Sequence, residues 1–247
     1  KPIRQIKHTL RDETLLDILR REKEIKLSGG IYHKLQIEMT YNSNHIEGSK
    51  LSHDQTRFIY ETSTIAGENE AINVDDILET INHFECIDRV IDFANYPISE
   101  KFIKELHGIL KRGTSDKTCP IGEYKKLPNI VGNIDTVPPR LVKQEIKKLL
   151  DKYSSKDSHS FKEILDFHVQ FERIHPFKDG NGRVGRLLVL KECLKNNIVP
   201  FIIKDENKLF YYRGLDEWGR ENGYLIDTCL DGQDTFKKYL DYFKIKY

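Results

Sequence analysis

The chain has 247 residues, with 40 Lys and Arg against 39 Asp and Glu, and a formal net charge of +1. A chain of this length can bury well over half of its unfolded surface, so we expect one compact domain with an appended helical lobe. The balanced charge excludes a global field that would draw the protein onto nucleic acid or an anionic membrane. Any bound anion must therefore be held by a local group of residues.

Apolar runs such as residues 187–190 are far too short to span a bilayer, and the N-terminus lacks the apolar block of a secretory signal. We therefore expect a cytoplasmic protein with no membrane partner. The cysteines lie far apart and form no CxxC pair, so we expect them to be reduced and structural. They are Cys86, Cys119, Cys193 and Cys229.

Apolar residues recur at helical spacing over most of the chain, which predicts an all-α fold. In chain order, the predicted helices cover about residues 13–26, 31–46, 54–61, 74–94, 100–111, 141–153, 206–220 and 236–243. Two more, in tandem, start at Phe161 and end near Asn196. Between Gly122 and Pro139, short β-branched runs around a Gly-Asn pair predict a small β-hairpin instead.

The two tandem helices flank the segment Ile174 to Arg186, which reads IHPFKDGNGRVGR. Pro176 disfavours helical geometry at His175, so the first helix should stop there and the chain should re-enter a helix near Arg183. A Gly-Asn-Gly turn that opens a helix is typical of an anion site. The missing side chains let a phosphate approach the backbone, and the free N–H groups at the helix start favour negative charge.

Charged side chains in the same segment complete a nucleotide site. Arg183 and Arg186 are three residues apart, so they share one helix face and can reach the same polyphosphate. Asp179 is placed to hold Mg²⁺, which commonly takes one or two carboxylates plus substrate oxygens. The imidazole of His175 titrates near neutrality and can take a proton from an attacking hydroxyl.

Each of these residues has an ordinary structural interpretation when taken alone. An isolated histidine usually caps or packs, and two arginines on one face are usually solvated. A base, a carboxylate, a glycine turn and two arginines within twelve residues favour a site instead. Residues 180–185 also satisfy the dinucleotide fingerprint GxGxxG, but a helix and a proline precede them where that fold needs a strand. Walker A and kinase catalytic-loop signatures are absent from the sequence.

Residues 175–186, HPFKDGNGRVGR, resemble the signature of the Fic family, HxFx(D/E)GNGRxxR, at every specified position. The resemblance implies an all-α fold, with a Fic-type helical core, a small β-hairpin flap and an N-terminal helical lobe. We expect the lobe at residues 1–97, the core at 98–230 and a C-terminal helix at 231–247. The family's usual reaction transfers AMP from ATP to a Ser, Thr or Tyr hydroxyl of a target protein.

Carried over residue by residue, the resemblance makes His175 the base and Asp179 the Mg²⁺ ligand. Phe177 becomes a hydrophobic anchor. The implied nucleotide and phosphate ligands are Gly180, Asn181, Gly182, Arg183, Arg186, Tyr211 and Tyr212. Arg186 is assigned to the γ-phosphate side and the tyrosines to the adenine, with core packing as the alternative for both tyrosines. The hairpin, with Ile130, Val131 and Gly132, resembles a flap that docks a target segment by strand pairing.

A second motif lies upstream, where Ser43 to Gly48 match the family's inhibitory pattern [S/T]xxxE[G/N]. Glu47 would pair with Arg186, take the guanidinium from the γ-phosphate and repel ATP, so we expect an autoinhibited enzyme. Removal of AMP and self-modification are secondary possibilities that relatives suggest.

Two alternatives remain open at this stage. One is a Fic-fold transferase with another donor, namely UTP, a phosphocholine carrier or ATP in kinase orientation. The other is a nucleotide-sensing regulatory protein. We expect ATP and a target protein as partners and no nucleic acid, and relatives suggest a homodimer.

Overall fold

The computed structural model describes residues 13–65, 71–116, 120–131 and 134–247, and its fold is all-α, as predicted. The helices are α1 (Leu15–Glu24), α2 (Ile31–Ile46), α3 (His53–Thr62), α4 (Val74–Phe93), α5 (Glu100–Leu110), α6 (Pro139–Tyr153), α7 (Phe161–Ile174), α8 (Asn181–Lys195), α9 (Lys208–Glu217) and α10 (Gly223–Tyr242). A single 3₁₀ turn, Asp205–Asn207, precedes α9. Between α5 and α6, β1 (Ile130–Val131) and β2 (Ile134–Asp135) pair antiparallel.

Side-chain caps define where several helices begin. Ser160 precedes α7 and forms a capping box with Glu163. Its hydroxyl accepts from the Glu163 backbone N–H, and the Glu163 carboxylate accepts from the Ser160 N–H. Thr14 and Ser52 cap α1 and α3 in the same way. Each box satisfies two donors that the first helical turn leaves without partners.

Helix α8 lies at the centre of the fold and packs against α1, α2, α4, α5 and α7. It is buried on nearly every face, and Val184, Leu187 and Leu188 are fully inaccessible. The main core joins these side chains to apolar residues of the surrounding helices, among them Leu19, Leu35, Ile87, Leu106, Ile146 and Phe171. A charged side chain that starts from so enclosed a helix needs a partner of opposite charge.

Helix α2 runs between α3, α4 and α8, with the bounds 31–46 that the sequence predicted. Its C-terminal end meets α8, which brings Ser43 and Glu47 to the start of that helix. The N-terminal part of the chain therefore contributes directly to the region that residues 175–186 occupy.

The C-terminal region differs from the prediction. Helix α10 begins at Gly223, well before the predicted start at 236, and so it crosses the expected boundary between 230 and 231. The helix predicted at 206–220 is present as the shorter α9, and its first residues belong to the 3₁₀ turn. Gly223 and Gly232 have low helix propensity, so the sequence pattern did not predict a helix there. Gly232 is nevertheless accommodated in α10, because it packs so closely on the backbone of Ile202 that a side chain would not fit.

Two further expectations concern the cysteines and the membrane. Cys86, Cys193 and Cys229 are buried and unbridged, and Cys119 lies outside the described residues. Within the part of the chain that the structure describes, no helix combines the length and the apolar character that crossing a bilayer requires.

Candidate active site

Residues 175–186, which resemble the Fic signature, form the turn between α7 and α8 and the start of α8. Helix α7 ends at Ile174, as expected before Pro176, and its C-cap His175 adopts the left-handed region with φ of 50°. Gly180 precedes α8 with φ of 80°, a conformation that a glycine adopts without strain. The carbonyl of Pro176 accepts a 2.9 Å hydrogen bond from the N–H of Lys125. The prediction that one helix stops at this segment and another follows it is confirmed, although α8 begins slightly earlier than expected, at Asn181.

Buried side chains hold this turn in place. Asn181 accepts from the Phe177 N–H at 2.8 Å and donates to the Phe177 carbonyl at 2.9 Å, so its side chain closes the turn. The Phe177 ring is fully buried and stacks on His107 with centroids 3.9 Å apart, which confirms its role as a hydrophobic anchor. His107 in turn contacts the Asp179 carbonyl at 3.2 Å and accepts from the Gly122 N–H. The amide of Asn181 is thus used within the loop, and only its backbone is left for a phosphate.

The carboxylate of Glu47 lies against the start of α8. A Cβ atom at Gly182 would overlap Oε1 of Glu47, so the glycine leaves the space that the Glu47 carboxylate occupies. The first turn of a helix carries free N–H groups and a partial positive charge that favour an anion. Glu47 therefore occupies the position that the sequence assigns to phosphate.

Arg186 is buried, with its side chain 4% exposed, and it is held by the end of α2. Its Nε donates to Ser43 Oγ at 3.0 Å, and its Nη2 donates to the Ser43 carbonyl at 2.9 Å and to Glu47 Oε1 at 2.7 Å. Burial opposes the guanidinium charge, but Glu47 outweighs it and holds the pKa of Arg186 above its ordinary value. The predicted pair of Glu47 and Arg186 is present.

Arg183 and Asp179 also meet, in a network that the sequence did not predict. Arg183 Nη1 pairs with Glu79 of α4, and its Nη2 lies 3.4 Å from Asp179 Oδ2. Lys111, the residue after α5, pairs with Glu79 as well, and its Nζ is 2.6 Å from the same Asp179 oxygen. Glu79 and Lys111 carry no local motif, and only the packing of α4 and α5 on α8 brings them to the site.

The environment of His175 keeps its imidazole neutral. Burial, and next the charge of Lys125, lower its pKa to about 4, although the Glu172 carbonyl and the Glu47 and Asp179 carboxylates act in the opposite direction. Nδ1 is buried without a well-aligned hydrogen-bond partner in the described chain. A neutral ring with one enclosed nitrogen leaves Nε2 as the atom that can accept a proton.

The two predicted adenine contacts differ in exposure. Tyr211 is buried in the core, and its hydroxyl contacts Nε2 of the buried His168. Tyr212 stays partly exposed and lies near enough to Glu47 for that carboxylate to raise its pKa, after burial, to about 12. The burial favours the core interpretation for Tyr211 and leaves Tyr212 as the candidate for stacking on a base.

The hairpin lies beside the motif loop. Its strands contain Ile130 and Val131, two of the three expected docking residues, and the third, Gly132, lies outside the described residues. Asn129, just before β1, donates to the Phe177 carbonyl at 2.9 Å and so ties the hairpin to the loop.

No group of three or more His, Cys, Asp or Glu side chains lies close enough to bind a metal in the ranges that the structure describes. Asp179 is the one motif carboxylate, and its side chain is 51% exposed. These residues fit Mg²⁺ that is bound chiefly through nucleotide phosphates, because such a site needs a single protein carboxylate. Taken with the helix start, the arginines and the neutral histidine, the site can bind a polyphosphate beside a base.

Comparison with known proteins agrees with this geometry. A family model described as Fic/DOC family matches residues 97–192. A solved Fic domain containing signaling protein from Bacteroides thetaiotaomicron aligns with a TM-score of 0.70 and 25% identity, over 92% of this chain and 90% of that one. This chain belongs to the Fic/DOC family. Fic-1 from Caenorhabditis elegans shares the fold, with a TM-score of 0.66 over 93% of this chain and 71% of that one, at 21% identity.

Curated relatives of this Fic-family chain carry an activity in their names. The protein adenylyltransferase Fic of Drosophila melanogaster is 31% identical over 188 residues, which are 71% of this chain and 36% of that protein. The one from Nematostella vectensis is 28% identical over 192 residues, which are 72% of this chain and 42% of that protein. The chain thus spans between a third and a half of the length of these relatives.

Proposed function

We propose that this Fic-family chain is a protein adenylyltransferase, which transfers AMP from ATP to a Ser, Thr or Tyr hydroxyl of a target protein. The observation that carries the proposal is the single turn that joins a neutral His175 to an anion-binding helix start. The names of the curated relatives support the same reaction.

In the proposed reaction, the target hydroxyl attacks the α-phosphorus of ATP. Nε2 of His175 accepts the hydroxyl proton, the new O–P bond forms, and the bond to the β-phosphate oxygen breaks to release pyrophosphate. Backbone N–H groups at Gly180 and Gly182, together with Arg183 and Arg186, would stabilise the charge on the phosphates. Mg²⁺, when bound to Asp179, would neutralise further phosphate charge.

We propose that Glu47 inhibits this reaction. Its carboxylate accepts from Arg186 and lies against Gly182, so a γ-phosphate would meet both a missing guanidinium and a like charge. ATP would then be bound in a pose that does not present the α-phosphate for in-line attack. Inhibition would be relieved when the Glu47 side chain leaves the start of α8.

The hairpin would place the target. Strand-like pairing with β1 supplies main-chain hydrogen bonds that depend little on the target's sequence, which suits a segment tied to the loop that carries His175. The hydroxyl would then arrive beside the base.

Intact-mass spectrometry tests the proposal. The Glu47→Gly variant, incubated with Mg²⁺ and ATP, is expected to gain the mass of AMP on itself or on added proteins at least about tenfold faster than the parent chain, because removing the blocking state raises the competent population. Adding His175→Ala should slow the variant by about 10² to 10⁴. Glu24→Gly, which removes an exposed glutamate at the end of α1, is the matched control and should change nothing.

Labelled ATP separates the proposal from its alternatives. Protein label from α-labelled ATP, and none from γ-labelled ATP, is the expected result. Label from the γ position alone would establish a kinase orientation. Binding of ATP by Glu47→Gly with no transfer of either label would contradict the transferase and favour a nucleotide sensor.

A further inference from the structure

Lys111 is a buried cation that the proposed reaction does not use. It follows α5, and its side chain is only 6% exposed. Burial lowers the pKa of Lys111, but the hydrogen bonds to Asp179 and Glu79 outweigh it and the pKa lies above its ordinary value. Burying an ammonium costs solvation free energy, so the Lys111 side chain needs the carboxylates of Asp179 and Glu79 as partners.

The ammonium of Lys111 belongs to a ring of alternating charges. Glu79 contacts Lys111 on one side and Arg183 on the other, and both cations approach Oδ2 of Asp179. Asp179 is half exposed, whereas the side chains of Lys111 and Arg183 are about 95% buried. The cation beside Asp179 is therefore fixed by the protein interior and does not reach the carboxylate from solvent.

We propose that Lys111 is a positioning residue that acts as an internal competitor of the divalent cation for Asp179. This inference rests on the proposed function, which makes Asp179 the metal ligand. An ammonium nitrogen 2.6 Å from Oδ2 occupies space beside the oxygen that a metal would bind, and two cations at such a distance repel.

The surroundings of Lys111 make this competition hard to relieve without a nucleotide. Glu79 holds the ammonium from the far side, and the enclosed side chain has little room to swing towards solvent. Phosphate oxygens would supply the additional negative charge that lets Lys111 and the metal coexist. The metal alone should therefore bind weakly, and metal and nucleotide should bind cooperatively.

Binding of Mn²⁺, measured by the loss of its free electron paramagnetic resonance signal in the absence of nucleotide, tests the inference. Mn²⁺ serves as the probe because it accepts the same oxygen ligands. Lys111→Met is expected to bind at least about tenfold more tightly than the parent chain, since the repelling charge is gone. Lys111→Gln should behave alike, which guards against misfolding of one variant, and Lys111→Arg should keep the weak affinity.

Two further variants make the outcome decisive. Lys147→Met, which removes an exposed lysine of α6, is the matched control and should bind Mn²⁺ like the parent. Asp179→Asn in the Lys111→Met background should abolish the gain. An affinity of Lys111→Met and Lys111→Gln that is unchanged, weaker or undetectable would overturn the inference, while AMP transfer by Glu47→Gly would still support the proposed function. A gain that survives Asp179→Asn would overturn the inference and also remove Asp179 from the metal site.

Discussion

Glu172 lies on the last turn of α7, and its carboxyl is buried near Arg186. Oε1 has no hydrogen-bond partner within the described chain, and a Cβ atom at Gly185 would lie 2.5 Å from it. Burial, with Glu47 as a lesser cause, raises the pKa of Glu172 to about 8, while Arg186 lowers it. The carboxyl is therefore mainly protonated at pH 7.

Replacing Glu172 with glutamine tests this protonation state. At pH values between the ordinary carboxyl pKa and about 8, the folded parent chain binds a proton at Glu172 that the unfolded chain does not bind. The stability that Glu172 contributes is therefore lost as pH rises through that window. The stability of Glu172→Gln relative to the parent should therefore grow between pH 5 and pH 8, by at most about 1.4 kcal/mol per pH unit. Urea unfolding at both pH values measures the difference.

The control for this measurement is Glu145→Gln on α6, a surface site with a side chain 33% exposed, whose relative stability should stay level between the two pH values. A level difference for Glu172→Gln as well would mean that the buried carboxyl is ionised in the folded protein.

At the scale of elements, α9 and α10 pack closely against each other at Gly214. A Cβ atom at Gly214 would lie 2.6 Å from Cα of Leu225, and backbone cannot give way as a flexible side chain does. Gly214→Ala is expected to destabilise the protein by about 1–3 kcal/mol through overpacking, despite the higher helix propensity of alanine.

Gly108 of α5 provides the comparison. Among the residues that the structure describes, an alanine there would meet only Gly122, at an ordinary distance of 3.7 Å, so Gly108→Ala should raise the free energy of unfolding by about 0.5–1 kcal/mol. The two substitutions are identical in chemistry, and thermal or urea unfolding should give them opposite signs. Equal effects would show that close packing does not decide the outcome at Gly214.

The predictability of the elements followed the strength of their local signals. Helix α2 has the predicted bounds, because a Gly-Gly pair precedes it and Glu47-Gly48 ends it. The start of α10 was missed because Gly223 and Gly232 are poor helix formers, and packing overrides that weakness. Periodicity therefore located helices well and failed where tertiary contacts compensate for an unfavourable residue.

In the candidate site as well, residues with a local sequence signal were predicted and residues without one were missed. His175, Asp179 and the arginines lie within one contiguous segment, so the sequence alone could predict that they share a site. Glu79 and Lys111 come from helices that are far away along the chain, and nothing in their neighbourhoods distinguishes them from surface charges. Their contacts depend on how α4 and α5 pack on α8, which one sequence without relatives cannot reveal.

At the scale of the whole molecule, four enclosed histidines link stability to pH. Burial is the first cause that lowers the pKa of each, to about 3 for His83 and His168 and to about 4 for His107 and His175. The unfolded chain binds these protons near the ordinary value, so acidification from about pH 6.5 to 4 favours unfolding. Glu172 and Asp88, whose pKa values are raised mainly by burial, act in the opposite direction but contribute two protons against four.

The free energy of unfolding should therefore fall as pH is lowered from 6.5 to 4.5, by at least about 1 kcal/mol per pH unit. Urea unfolding followed by circular dichroism at several pH values measures this slope. Stability that stays constant or rises on acidification would mean that these imidazoles are charged, or exposed, in the folded protein.

The proposed inhibition by Glu47 would also determine how the molecule responds to its surroundings. The carboxylate is tethered by α2 to the helix start that it covers, so its effective concentration there is fixed by geometry and not by the amount of protein in solution. Inhibition of this kind is intramolecular, so it would persist in a single isolated molecule and would not weaken when the protein is diluted. A competing anion at sufficient concentration, or any change that moves the Glu47 side chain away from the start of α8, would open the site.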